Sequence, residues 1–288
     1  MRAGEFERAL VADRPPAEFL EDECPTTRAM RGWTGSMRRD GRAADELRPL
    51  ELIVDFTDNP LASVLCSLGR TRVLCTVSEE LSVPRWLRGR GEGWVTAEYS
   101  MLPAATDTRN TREVSRGKAS GRTMEIQRLI GRSLRAVVDM RALGERSLWV
   151  DCDVLQADGG TRTASITGAY AALALACGRI QARGDLERNP LRDSVAAISV
   201  GIIDGEVRLD LPYEEDARAE VDMNVVATGR GRFVEVQGTG EDGTFSREQL
   251  SELTNMALDG IHSLSLLQEK ALASAGMAPK APDSTTES

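Results

Sequence analysis

Short apolar runs in the first third of the chain give way to longer periodic ones. Leu50 to Phe56, Ser63 to Leu68 and Thr71 to Ser78 are apolar or alternating. They predict three strands, the last two joined by a tight turn at Gly69-Arg70, in an antiparallel meander. A long polar segment from Pro84 to Gly121 carries one strand pattern, Trp94–Tyr99. Loops of such length in a compact domain are usually functional or disordered. Ile126, Leu129, Ile130, Leu134, Val137 and Val138 then recur at helical spacing. They predict one amphipathic helix from Thr123 to about Leu143, with Arg128, Arg132 and Arg135 away from the stripe. Leu148 to Gln156 reads as a strand, 157–163 as a glycine-rich turn with one arginine, and Ala164 to Gly178 as a buried helix. Ala196–Ile203 and Glu206–Leu211 make a hairpin across Asp204-Gly205. Glu220–Thr228 and Phe233–Gln237 make a second strand pair. A last helix starts at Ser246, whose spacing to Gln249 fits a capping box. Its apolar face is Leu250, Leu253, Ala257, Ile261, Leu264 and Leu267. This order predicts an α+β fold of two similar halves, sheets packed with helices.

Residues 1–36 lack sustained periodicity and read as a flexible N-terminal extension. Residues 37–273 read as a single catalytic domain, and 274–288, rich in Ala, Pro, Ser and Thr, as a disordered tail. The 41% hydrophobic and 28% charged content is that of a soluble globular protein. No apolar run approaches the roughly 20 residues of a membrane helix. The N-terminus has no apolar signal core, so a cytoplasmic protein without membrane contact is expected. Four of the five cysteines lie in apolar stretches, as reduced core residues would.

Charge changes this picture more than composition does. The net charge is −9, yet Arg85 to Arg146 holds 13 basic against 7 acidic residues, while Asp204 to Glu252 holds 5 against 13. A basic middle and an acidic later part could bind phosphates with one and a metal ion with the other. The strand–turn–helix through Gly159-Gly160 leaves free backbone N–H groups at a helix start, and Arg162 adds a full charge. Gly160, Thr161 and Arg162 are therefore a candidate phosphate site. Gly121-Arg122-Thr123 repeats the pattern weakly, so Arg122 could clamp the same anion. In the acidic run Glu214, Glu215, Asp216, Glu220 and Asp222, strand alternation turns Asp222 and Asn224 away from Val221, Met223 and Val225. The single histidine, His262, sits in the last helix near its apolar stripe and reads as structural. The chemistry should need no histidine base, a condition met by inorganic phosphate attacking a phosphodiester.

Three long motifs carry a family resemblance: Gly93 to Pro103 (GWVTAEYSMLP), Gly121 to Arg132 (GRTMEIQRLIGR) and Asp151 to Gly168 (DCDVLQADGGTRTASITG). With Asp216 to Asn224, they resemble the RNase PH family, its bacterial branch in detail, from about Arg39 to about Ala271. The resemblance implies an RNase PH/ribosomal protein S5 domain 2-like fold with antiparallel and mixed sheets. It also implies a phosphorolytic 3′-to-5′ exoribonuclease, a tRNA nucleotidyltransferase. Such an enzyme removes nucleotides beyond the CCA end of tRNA precursors, releases nucleoside diphosphates and can run in reverse, with other RNA 3′ ends as further substrates. By position, Arg122, Gly160, Thr161 and Arg162 would bind the co-substrate phosphate. Asp216 and Asp222 would be the catalytic or Mg2+ (or Mn2+) carboxylates. Arg88, Arg109, Arg112 and Arg116, from the basic loop, are the expected RNA contacts. A homohexamer, a trimer of dimers, is the implied assembly. Where family members often have basic residues, this chain has Ala104 and Asp107, and the N-terminal extension is not a usual family feature.

Overall fold

The structure, a computed structural model, describes residues 38–117, 119–241 and 243–276, without the side chains of Val114 and Arg116. The expected extension at 1–36, Cys24 and the tail beyond 276 lie outside the described residues.

Nine strands build two sheets among the described residues. The five-stranded sheet has the order β1 (Leu50–Val54), β2 (Ala62–Leu68), β3 (Thr71–Glu80), β5 (Ser147–Gln156), β4 (Trp94–Met101). The four-stranded sheet has the order β7 (Glu206–Leu209), β6 (Val195–Ile203), β8 (Val221–Thr228), β9 (Phe233–Gly240). The meander β1-β2-β3 forms as expected, and Asp204-Gly205 closes the β6-β7 hairpin. β4 pairs parallel to β5, which makes the first sheet mixed. A parallel pair needs a long crossover, and helix α1 (Gly121–Ala136) supplies it. β1 and β7 stop short of the predicted Phe56 and Leu211 because Asp55 and Asp210 take φ of 54° and 55°, which no strand continues.

The helix expected from Thr123 to Leu143 is two helices. α1 ends at Ala136, and α2 is the short turn Met140–Leu143. Val138 instead bridges to Leu191, and the Asp139 N–H donates to the Pro190 carbonyl at 2.7 Å. The Asp139 carboxylate then caps α2 by accepting from the N–H groups of Arg141 and Ala142. The predicted stripe of α1 is nonetheless wholly buried. Arg135 does not simply face water: it stacks over Trp94, 4.6 Å from the ring centroid.

Helices α1, α3 (Thr161–Ala182) and α5 (Arg247–Ser274) each contact both sheets, so they form a layer between them. This explains why α3 shows no polar face: most of its length is buried. α5 keeps Leu253, Ala257, Ile261 and Leu264 inside, but Leu250 and Leu267 reach solvent, as does His262. Its Gln268 donates to the carbonyls of Thr167 and Val195, tying α5 to α3 and β6. Cys66, Cys75, Cys152 and Cys177 are free and buried, and burial pushes the thiols of Cys66 and Cys177 up to about 12. The Cys66 and Cys177 thiols are core filler with little thiolate character. No helix among the described residues is long and apolar enough to cross a membrane.

Candidate active site

The turn between β5 and α3 is shaped by two glycines. Gly159 and Gly160 have φ of 72° and 64°, a region that costs a side-chain-bearing residue energy. Space forbids a side chain at Gly159 as well: a Cβ there would lie 2.5 Å from the Leu211 carbonyl oxygen. Gly160 is the N-cap of α3 and offers no side-chain hydrogen bond to the helix start. The first N–H groups of a 22-residue helix are thus free for an anion. Thr71 clamps the turn, donating to the Gly159 carbonyl (2.7 Å) and accepting from the Asp158 N–H (2.9 Å). The Thr161 hydroxyl accepts from Tyr99 at 3.0 Å. Arg162 Nη1 donates to Gln237 Oε1 at 3.1 Å and lies 3.7 Å from Glu125 Oε2. The guanidinium is thereby steered from the side rather than neutralised by a close pair. Gly159→Ala should force the turn off the Leu211-Pro212 backbone and cost roughly 1–3 kcal/mol. Thermal melts and the KM for phosphate should both register it; an unaltered melt and KM would mean that the turn is not so constrained.

Arg122 occupies the first turn of α1, whose start is capped by the Ser120 hydroxyl accepting from the Thr123 N–H. It is exposed. The positive charges of Arg122 and Arg162 bear together on Tyr99, Asp216 and Asp222. Gln237 ties the two helix starts together, accepting from Arg162 of α3 and donating to Glu125 of α1.

Asp216 ends α4 (Tyr213–Asp216), the short helix that follows the Leu211-Pro212 segment lying against Gly159. Asp222 lies on β8, where Val221, Met223 and Val225 are buried and Asp222 and Asn224 take the other face. Burial pushes the Asp222 carboxyl up to about 6; Asp216 adds to the rise, and Arg162 opposes it. Burial also raises Asp216, against the charges of Arg122, Arg162 and Arg48. Asp222 Oδ1 is buried without a hydrogen-bond partner, a costly condition for a carboxylate unless something else binds it. Two desolvated carboxylates, one with an orphan oxygen, suit a hard divalent cation. Among the described residues no three His, Cys, Asp or Glu side chains converge as a complete cage. The set fits magnesium, which is commonly bound by one or two carboxylates with water and substrate phosphate completing the shell.

The rest of the acidic run disperses. Glu214 is exposed beside Arg39, the Glu220 carboxylate accepts from the Gly205 N–H, and Glu215 is buried between Arg38 and Arg208. The basic residues divide too. The Ala105 carbonyl accepts from the Ala157 N–H, which seats the loop after β4 beside the glycine turn. Glu113 then accepts from Ser120 N–H and Thr123 Oγ1 at the start of α1. Arg109 and Arg112, both exposed, lie on the stretch that follows the Ala105 anchor and leads to Glu113. Arg88 is exposed at the other end of β4, beyond a strand roughly 25 Å long. The side chain of Arg116 lies outside the described residues. The sequence reading missed Tyr99, Glu125, Gln237, Thr71 and Arg48. Tyr99 and Glu125 sit inside the recognised motifs, so that signal could have found them.

Comparison with known proteins places the chain in a family. The description "3′ exoribonuclease family, domain 1" matches residues 46–177, and "3′ exoribonuclease family, domain 2" matches residues 193–260. The chain is 60% identical over 237 residues to Ribonuclease PH of Bacillus subtilis, covering 82% of this chain and 97% of that protein. It is 59% identical over 239 residues to Ribonuclease PH of Corynebacterium diphtheriae, covering 83% and 99% respectively. An Archaeoglobus fulgidus exosome structure with RNA bound to its active site shares the fold at a TM-score of 0.68 and 23% identity, over 80% of this chain and 92% of that one. The chain belongs to the 3′ exoribonuclease family, among the ribonucleases PH.

Proposed function

We propose that the chain is a phosphorolytic 3′-to-5′ exoribonuclease that trims tRNA precursors to their CCA ends, as its relatives named Ribonuclease PH indicate. One observation supports the site assignment: the uncapped start of α3 lies against the Leu211–Tyr213 segment that leads to Asp216, and Gln237 ties its Arg162 to the first turns of α1. Inorganic phosphate binds between Arg122 and the Gly160–Arg162 turn, held by charge-assisted hydrogen bonds. One of its oxygens attacks the phosphorus of the terminal linkage, and the bond from that phosphorus to the 3′-oxygen breaks. The terminal nucleotide departs as a nucleoside diphosphate. The shortened RNA's 3′-oxygen takes up the proton that the attacking phosphate gives up, relayed by the Asp216–Asp222 pair. A magnesium or manganese ion held by Asp216 and Asp222 would neutralise charge on the reacting phosphates. The chain's own contribution is positioning and charge stabilisation, as phosphoryl transfer requires. His262, the single histidine, is exposed on α5 and takes no part.

Arg109 and Arg112 guide the RNA 3′ end at the rim. Arg88 serves from the far end of β4, where a neighbouring subunit's substrate could reach it. The exposed apolar residues Leu81, Trp86, Trp149 and Phe233 give surface for assembly into a hexamer, a trimer of dimers. The cytoplasm, where tRNA precursors are made, is the place of action.

The direct experiment supplies a tRNA precursor with a 3′ extension, magnesium, and either phosphate or none. Shortening that stops near the CCA end and occurs only with phosphate is expected. Equal shortening without phosphate, or none with it, would overturn the reading.

A further inference from the structure

Behind the site lies a buried ionic cluster. Asp210 is fully buried. Its carboxylate accepts from Arg48 three times: from the backbone N–H at 2.7 Å, from Nε at 2.9 Å and from Nη2 at 2.6 Å. Arg42 lies 3.6 Å away on the same carboxylate. The remaining Arg48 nitrogen, Nη1, donates to the Asp158 carbonyl at 2.5 Å. One guanidinium thus holds the glycine turn with one nitrogen and the approach to α4 with two others. The approach is fixed further: Asp210 N–H donates to Ser199 O at 2.7 Å, and Leu211 N–H to Ser199 Oγ at 3.0 Å. Glu215, the neighbour of Asp216 in α4, accepts from Arg38 at 2.5 and 3.1 Å and from Arg208 at 2.9 Å. Thr71 holds the same turn with its two bonds.

Stability alone does not account for such a cluster. A buried ion pair is often no more stabilising than apolar residues of the same volume, whereas it fixes geometry through several directed bonds. Here the directed bonds end on the two segments that carry opposite halves of the site. The turn comes from the end of the first sheet, and α4 follows the edge strand of the second. We propose that Arg48, bound to Asp210 and assisted by Thr71, is a positioning residue that sets the phosphate-binding turn and the Asp216 helix in register. Its guanidinium reaches the turn itself, since a Cβ at Gly160 would lie 3.1 Å from Nη2, and its bonds fix the gap between the turn and α4. This inference rests on the reading of Gly160–Arg162 as the phosphate site.

The test is steady-state kinetics on the full-length enzyme, with phosphate and RNA varied separately. Arg48→Lys keeps the charge but cannot span both segments, and Thr71→Val keeps the volume but loses both bonds. Arg162→Ala runs beside them. Arg48→Lys should raise the KM for phosphate by about tenfold, and Thr71→Val by a few-fold, the scale of one or two hydrogen bonds. The KM for RNA should stay within about twofold in both. A merely structural role would lower kcat through a smaller active fraction and leave both KM values alone. If Arg48→Lys does not fold, Thr71→Val alone decides. An unchanged phosphate KM in the folded variants, with Arg162→Ala raising it, overturns the positioning role. An unchanged phosphate KM in Arg162→Ala removes the phosphate-site reading beneath it.

Discussion

Asp222→Asn should abolish turnover while leaving the fold and the assembly intact. The substitution is nearly isosteric, and the buried Oδ1 that it alters has no hydrogen-bond partner to lose. A desolvated charge with an unpaired oxygen weakens the folded chain, so the neutral amide should leave the melting temperature unchanged or higher. What disappears is the negative charge opposite Arg122 and Arg162, and with it the hold on a divalent cation. A loss in kcat on the order of 10³-fold is expected at saturating phosphate and magnesium, the scale of removing one preorganised electrostatic element. Gel filtration and thermal melts should match the parent protein. Near-normal kcat in that variant would take Asp222 out of the site.

The second large effect concerns the arginines. Arg162 is aimed by Gln237 and Glu125 at the start of α3, so its guanidinium is already placed before phosphate arrives. Among the described residues no hydrogen bond steers Arg122 in this way, yet its charge acts on the same carboxylates. Removing either should cost one or two charge-assisted hydrogen bonds to a doubly charged anion. That raises the KM for phosphate by ~10–100-fold. Arg162→Ala should show the larger change, because preorganisation is lost along with charge. RNA binding without phosphate, measured by fluorescence anisotropy, should move far less. Equal losses of phosphate and RNA affinity would mean that these arginines form a general polyanion patch, not a clamp.

Much of the fold was legible because its elements repeat at periods of two and 3.6. The alternation over β3 and β8 and the stripe over α1 correspond to buried faces of real elements. Failures came where distant segments decided the outcome. α1 stops at Ala136 because Val138 and Asp139 find partners in Pro190 and Leu191, which no local pattern announces. The parallel pairing of β4 with β5 depends on a crossover, not on the strand's own residues. The site divides in the same way. Arg122, Gly160, Thr161, Arg162, Asp216 and Asp222 lie in long motifs or in a charge run, so the sequence singled them out. Arg48 and Thr71 lie in ordinary contexts and meet partners 162 and 88 residues away. Arg88 and Arg109 flank the strand expected at Trp94–Tyr99, which forms as β4 and sets them at its opposite ends.

In the proposed reaction inorganic phosphate is the attacking group. Running the reaction on a 3′-extended tRNA precursor with 18O-labelled phosphate tests that claim at the bond that forms. Released nucleoside diphosphate should carry the label in its β-phosphoryl group, and the yield should track the phosphate supplied. Nucleoside monophosphate as the main product, formed at the same rate without phosphate, would contradict it.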